Sequence, residues 1–303
     1  MRVFSTALIS AFFIMNANAA SAARTAECEA ALSAARDHKG DAAALEQDFA
    51  IADRSCEADD AASVSNALAF ALFNQAQKAS GAERRALLTR AGTHTKDWRV
   101  HATLGAELLE AGDRAAAAVA LQNALVDLQE NDGKNAPPET VRKIITMANN
   151  ARALAGPYTR AVRTRSGAPG GVAADRISGV EIESVPFPIE FEFAEATPTE
   201  DGAFAISDLA DILSGADASR LTLAGHTDPV GGDGANRALS QRRAEAVRDA
   251  LIIAGVRGAD RMQVIGCGEA SPPLIESPEY YSEPEIHQIM RRVELVRGGA
   301  ACP

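Results

Sequence analysis

The chain has 303 residues, 30 Lys and Arg against 41 Asp and Glu, a net charge of −11 and 47% hydrophobic residues. That apolar fraction excludes a disordered chain, and the length allows two or three domains with cores of their own. The acidic balance, with basic residues scattered along the chain, excludes a protein built to hold nucleic-acid phosphates or an acidic membrane surface, while 5% aromatic residues and abundant Ala suit close-packed helices better than an all-β barrel.

Residues 1–19 read as a secretory signal peptide: Arg2, an apolar run over 3–15, then Ala17-Asn18-Ala19 as a small-residue cleavage site, so that the mature chain begins at Ala20. An uncleaved anchor is the alternative, but the run is about 13 residues, interrupted by Ser5, Thr6 and Ser10, against the ~20 that span a bilayer. No other long apolar stretch follows, so the mature chain is expected to carry no integral membrane segment. The first cysteine, Cys28, lies away from the cleavage region, which argues against a lipid-anchored N-terminus. Cys28, Cys56, Cys267 and Cys302 form an even set in an exported protein and read as two disulfides, not a metal site, since no His or Cys stands at zinc-ligand spacing. Of the three possible pairings, Cys28 with Cys56 and Cys267 with Cys302 is favoured, because each pair falls inside one predicted region.

From 25 to 156 the sequence is rich in Ala, Leu, Glu, Lys, Arg and Gln, with apolar positions recurring at three and four, the period of a helix. Trp98, Leu104-Gly105, Leu108, Ala117, Leu121 and Ala124 span a helix, a turn at Ala111-Gly112-Asp113 and a second helix. These positions resemble the tetratricopeptide repeat over one unit of roughly 34 residues. The flanking segments 61–91 and 139–154 have helical pattern but lack the small residues in register. Region 20–156 therefore reads as a degenerate array of two or three units, with a generic helical bundle as the alternative; an array implies a groove for a peptide or partner protein whose identity the residues do not name.

Gly156-Pro157 breaks the pattern, and 157–179 reads as a turn-rich, solvated linker carrying Arg160, Arg163 and Arg165. Beyond it, region 180–300 alternates strands and helices. Strands are predicted at 180–185, at 189–193, where Ile189-Glu190-Phe191-Glu192-Phe193 alternates as a half-buried strand does, and at 221–224, 262–265 and 293–296. Helices are predicted at 206–213, 236–254 and 283–290. The fold class is thus α+β: an all-α helical-repeat region followed by an α/β sandwich whose mixed sheet, parallel in part, carries helices packed on it.

His226, Thr227 and Asp228 fall at the carboxyl end of a predicted strand, where α/β sheets present ligands to a crevice, with Asp228 aimed at solvent. On the following helix Ala244, Val247, Leu251 and Ala254 set the buried face. Arg243 lies on its edge, within reach of the crevice, and Arg242 points away. An acid and an arginine at one crevice suit a zwitterion, the carboxylate taking an ammonium and the guanidinium a carboxylate through parallel hydrogen bonds. A bland reading stands beside this one: Asp228 capping a turn and pairing with Arg243. His226 beside Asp228 invites an acid–base role, yet a strand-end His is expected to be structural, and Ser240 is expected to stabilise the helix start. Glu107 and Glu110, one turn apart, are the carboxylate pair that a glycan-cleaving enzyme would need, and as a solvated helix face they are charge decoration. No Gly-x-Ser-x-Gly elbow, poised Cys–His pair, phosphate loop or metal motif is present, so no catalytic residue, metal or cofactor is expected.

Gly225-His226-Thr227-Asp228, Gly231, Asn236, Leu239-Ser240, Arg243-Ala244, Gly266-x-Gly268-Glu269 and Arg291-Arg292-Val293-Glu294 together resemble the C-terminal domain of the OmpA family, a peptidoglycan-binding module, over 186–297. The chain departs from the family at Met290, where Asn is common. The resemblance implies a non-enzymatic, periplasmic, wall-associated protein near the outer membrane, whose ligand is the meso-diaminopimelate of the Gram-negative stem peptide. It carries the ammonium to Asp228 and the carboxylate to Arg243. Thr227 and His226 support them, Gly231 and Asn236 complete the pocket, and Arg292 either lines it or stays on the surface. A wall-targeted remodelling enzyme or enzyme activator is the competing expectation. Residues 20–156 hold 15 basic and 19 acidic residues and 157–303 hold 14 and 22, so recognition of an anionic polymer must rest on local stereochemistry, not bulk attraction.

Overall fold

The computed structural model describes residues 24–130, 136–156, 170–297 and 302. The expected signal peptide and Arg160, Arg163 and Arg165 lie outside them. Seven helices come first: α1 (Ala26–Asp37), α2 (Ala42–Ser55), α3 (Ala58–Ala76), α4 (Gly81–Thr93), α5 (Trp98–Glu110), α6 (Arg114–Glu130) and α7 (Pro138–Ala153). Several start on a side-chain oxygen that accepts an otherwise orphaned backbone N–H: Thr25 from Cys28, Asp41 from Ala43 and Ala44, Asp97 from Arg99. The α5–turn–α6 hairpin is the unit read from Trp98 to Ala124. Its small residue is needed, because a Cβ on Gly105 would lie 2.5 Å from Leu121 Cγ. No described helix is long and apolar enough to cross a membrane.

The disulfides pair Cys28 with Cys56 and Cys267 with Cys302, with Cα separations of 5.0 and 5.7 Å. The first ties the start of α1 to the end of α2 and lies beside a buried cluster of Ala31, Leu45, Val64, Leu68 and Leu72. Replacing both Cys28 and Cys56 by Ser is expected to cost about 3 kcal/mol, by removing a cross-link over a loop of this length, and to show as a lower midpoint in denaturant melts; an unchanged midpoint would contradict it.

Residues 170–179 are not a solvated linker. Gly170, Gly171, Ala173, Ala174 and Ile177 are buried, and Ser178 Oγ donates to the Leu128 carbonyl of α6. Here the apolar residues between the polar ones found a surface, α6, that no local pattern reveals. A short antiparallel pair, β1 (Arg176–Ile177) and β2 (Val180–Glu181), leads into the sheet. The sheet contains β3 (Ser184–Phe187), β4 (Thr222–His226), β5 (Gln263–Gly268) and β6 (Val293–Val296) in the order β3-β6-β4-β5, with β4 and β5 parallel and β6 antiparallel to both β3 and β4. Around it stand α8 (Glu200–Ile212), α9 (Asp233–Ile253), the β4-to-β5 crossover, and α10 (Glu283–Met290).

The strand expected at 189–193 does not form. Phe187, the last residue of β3, pairs with Val293, the first of β6, so the sheet offers no partner beyond it. The chain turns back on itself instead: Glu192 N–H donates to Thr197 O, Thr199 N–H to Glu190 O, and Phe191 bridges Pro198. The apolar–acidic alternation is real, but it describes a loop lying against α9.

One hydrophobic cluster runs from α5, α6 and α7 through Ile177 and Val180 into the sheet and α8, α9 and α10. Polar ties cross the same boundary. Arg114 Nε donates to Glu285 Oε1 at 2.9 Å and Nη2 to the Tyr280 carbonyl, and the guanidinium lies 4.8 Å over the Tyr281 ring. Asn150 donates to Leu274 O, and Gln288 Nε2 to Ala153 O. The hydrogen bond from Arg114, with those from Ser282, holds the Glu285 carboxyl down at about 2.

Candidate functional site

A cleft of about 1000 Å3 opens at the carboxyl end of β4, between the loop that follows it, the start of α9, the 188–194 loop and α10. Two glycines explain why α9 sits so close to the sheet. A Cβ on Gly225 would stand 2.8 Å from the Ser240 carbonyl carbon and closer still to its oxygen, and one on Gly266 would meet Arg237 O and Gln241 N at 2.5 and 2.6 Å. Only bare backbone fits beneath this helix. Ser240 completes the contact. It lies in the middle of α9, not at its start as expected, and its Oγ donates to Arg237 O at 3.0 Å and accepts from Gly268 N–H at 2.9 Å, fastening α9 to β5.

Arg243 points from α9 into the cleft and is 7% exposed. Its guanidinium stacks 5.0 Å over the Phe191 ring, and Nε donates to Glu195 O at 2.9 Å. Among the described residues no carboxylate pairs with it; burial first, then the neighbouring Arg291 charge, pulls its pKa below the ordinary value. Arg242, expected to point away, also borders the cleft, as do Phe193 and Val230.

Asp228 is half-buried and does not pair with Arg243. Its Oδ1 accepts the Val230 N–H, and its Oδ2 accepts Arg291 Nη1 at 2.6 Å. Arg291 is the cleft residue that the motif included but to which the sequence assigned no role. Its neighbour Arg292 borders the cleft yet is spent internally: Nε on Glu294, Nη1 on Met290 O and Nη2 on Ser271 O. Arg292 is therefore neither a free pocket arginine nor a surface one. Adjacent residues entering β6 face opposite ways, Arg291 toward Asp228 and Arg292 toward Glu294.

Asn236 and Gly231 border the cleft together. Asn236 Nδ2 donates to Asp228 O and Glu269 Oε2, so this residue braces the 228–232 loop. Thr227 is buried with an Oγ1 that has no hydrogen-bond partner, an orphan of the kind a ligand satisfies.

His226 is buried, with neither ring nitrogen hydrogen-bonded and Glu294 Oε1 3.9 Å from Nε2. Burial first, then Arg292, lowers its pKa to about 4 against a counteracting Glu294. The imidazole is thus neutral in the folded chain at pH values where the unfolded chain protonates it. Stability present above the unfolded value near 6.5 is lost as pH falls from about 6.5 to about 4, with the steepest effect in that window. An NMR titration should follow the His226 ring to a midpoint near 4; a midpoint at or above 6.5 would contradict the buried neutral assignment.

Glu107 and Glu110 do not form a reactive pair: Glu107 is held by Arg84 at 2.6 Å and Glu110 is exposed. Among the described residues no three His, Cys, Asp or Glu cluster to hold a metal ion.

Residues 190–279 match the OmpA family. The chain is 39% identical over 93 residues to outer membrane porin F of Pseudomonas aeruginosa, covering 30% of this chain and 26% of that one. It is 34% identical over 102 residues to the probable lipoprotein YiaD of Escherichia coli, 34% of this chain and 46% of that one. The matches thus span about a quarter to a half of these relatives' lengths. Among solved structures, the peptidoglycan-associated lipoprotein from Burkholderia pseudomallei aligns at 28% identity over 38% of this chain and 88% of that one, with a TM-score of 0.29.

Proposed function

Proceeding from an OmpA family domain over residues 190–279, we propose that this protein is exported to the periplasm and binds peptidoglycan noncovalently in the cleft, through the meso-diaminopimelate of the stem peptide. One observation carries the reading: Arg243 is a buried guanidinium with no acidic partner among the described residues, in a cleft it shares with Asp228. Burying an unpaired cation is costly, and an incoming carboxylate bound through parallel N–H donors offsets that cost. Asp228, steadied by Arg291 and the Val230 N–H, keeps carboxylate lone pairs for the ammonium of the same zwitterion. Thr227 Oγ1 supplies a further polar contact. The helical half, built on repeats like that of α5 and α6, presents its surface to an envelope protein. The protein acts as a tether or adaptor near the outer membrane, a location supported by its similarity to outer membrane porin F.

The mature chain is expected to cosediment with sacculi of the diaminopimelate type and to be released by free meso-diaminopimelate. Sacculi that carry lysine at that position should retain it poorly. Equal retention on both would overturn the diaminopimelate assignment.

A further inference from the structure

Part of the cleft wall comes from the helical half. Ala153, at the end of α7, borders the cleft beside Gln288 of α10, and the two are joined by the Gln288 Nε2 to Ala153 O hydrogen bond of 3.0 Å. α10 itself has only eight residues, far short of the length at which a helix is stable alone. Its order depends on what it is docked to. Its first turn is closed by a capping box in which Glu285 Oε2 accepts from Ser282, while Glu285 Oε1 accepts from Arg114. Arg114 also holds the Tyr280 carbonyl just upstream. At the other end, the Arg291 N–H donates to His287 O, and Arg291 Nη1 reaches Asp228 Oδ2. Contacts thus run without a gap from α6, through α10, to the acid of the cleft.

We infer that Arg114 is a positioning residue of the cleft: by pinning the first turn of α10 it sets where Arg291 stands and so fixes the Asp228 carboxylate. The inference rests on the reading of the cleft as the wall-binding site. It makes that site a joint product of both halves, so that an event on α5 and α6 that disturbs Arg114 changes the grip on the wall.

The test titrates the whole mature chain with a soluble stem tripeptide ending in meso-diaminopimelate, by calorimetry. Arg114→Gln should weaken binding about fivefold, the scale of a coupling that acts through intermediate residues, and should speed hydrogen exchange in α10. Arg114→Lys should recover part of the affinity. In an Arg291→Ala background, Arg114→Gln should have no further effect, a result that general destabilisation would not give. Unchanged affinity in folded Arg114→Gln, or an equal loss with Arg291 absent, would overturn the inference. If Arg114→Gln does not fold, Glu285→Gln cuts the same tie from the other side and is held to the same outcomes. Failure of the wall-binding reading looks different: the unaltered chain then gives no binding heat, and Arg243→Ala changes nothing.

Discussion

Arg243→Ala is expected to abolish retention on diaminopimelate-type wall, with a loss of about 2–5 kcal/mol, or roughly 30-fold and more in affinity, because the carboxylate of the proposed ligand would be left desolvated without its partner. Asp228→Asn gives a loss of the same order by stranding the ammonium, and it also frees Arg291, whose hydrogen bond to Oδ2 depends on the charge. Arg243→Lys separates charge from geometry: it keeps the cation but loses the planar fork, so binding should fall while remaining measurable. Raised salt should weaken the unaltered protein only modestly, since the guanidinium is buried and screening acts mainly on exposed charges. Circular dichroism should be unchanged in all three variants. Full retention of both Arg243→Ala and Asp228→Asn would sink the site assignment.

Gly225→Ala, a change of one methyl group, is expected to cost more than about 3 kcal/mol, at the upper end for overpacking, because the added carbon meets backbone of Ser240 that cannot swing aside. For a chain of this size that corresponds to a fall in melting temperature of about 5 °C. Gly234, in the first turn of α9, is the contrast: it has nothing within 4 Å of a Cβ, and Gly234→Ala should be neutral or stabilising by about 0.5–1 kcal/mol. Thermal melts of the two variants side by side check the claim. Equal midpoints would mean that α9 is free to lift off β4, against the close packing described.

Much of this was legible in the residues because it is local. The helical period along 25–156, the α5–turn–α6 hairpin, the α9 crossover and the placement of Asp228 and Arg243 at one strand end all follow from spacing within about twenty residues. What escaped is what depends on distant partners. The 189–193 alternation looks like a strand, and only the end of β6 at Val293 denies it a neighbour. Asp228 finds Arg291 across 63 positions, and Arg114 finds Glu285 across 171, separations at which no periodicity speaks. Ser240, read as a helix-start residue, takes its role from Gly268 on another element. The burial of 170–179 against α6 belongs to the same class.

The continuous core has a consequence for how the protein comes apart. Helices α1 to α4 gather, with Val100 of α5, on one cluster stapled by Cys28–Cys56, and meet the rest of α5 and α6 through a small patch of Ala76, Leu88, Leu104 and Ala120 and the Arg84–Glu107 ion pair. From Leu109 onward the large cluster takes in residues of α6, α7, the sheet, α8, α9 and α10. The natural line of parting during local unfolding therefore falls between α4 and α5, inside the helical series, and not where the amino-acid composition changes. On heating, the first four helices are free to melt as a cooperative block while α5, α6 and α7 stay with the sheet, leaving the cleft and its arginines assembled.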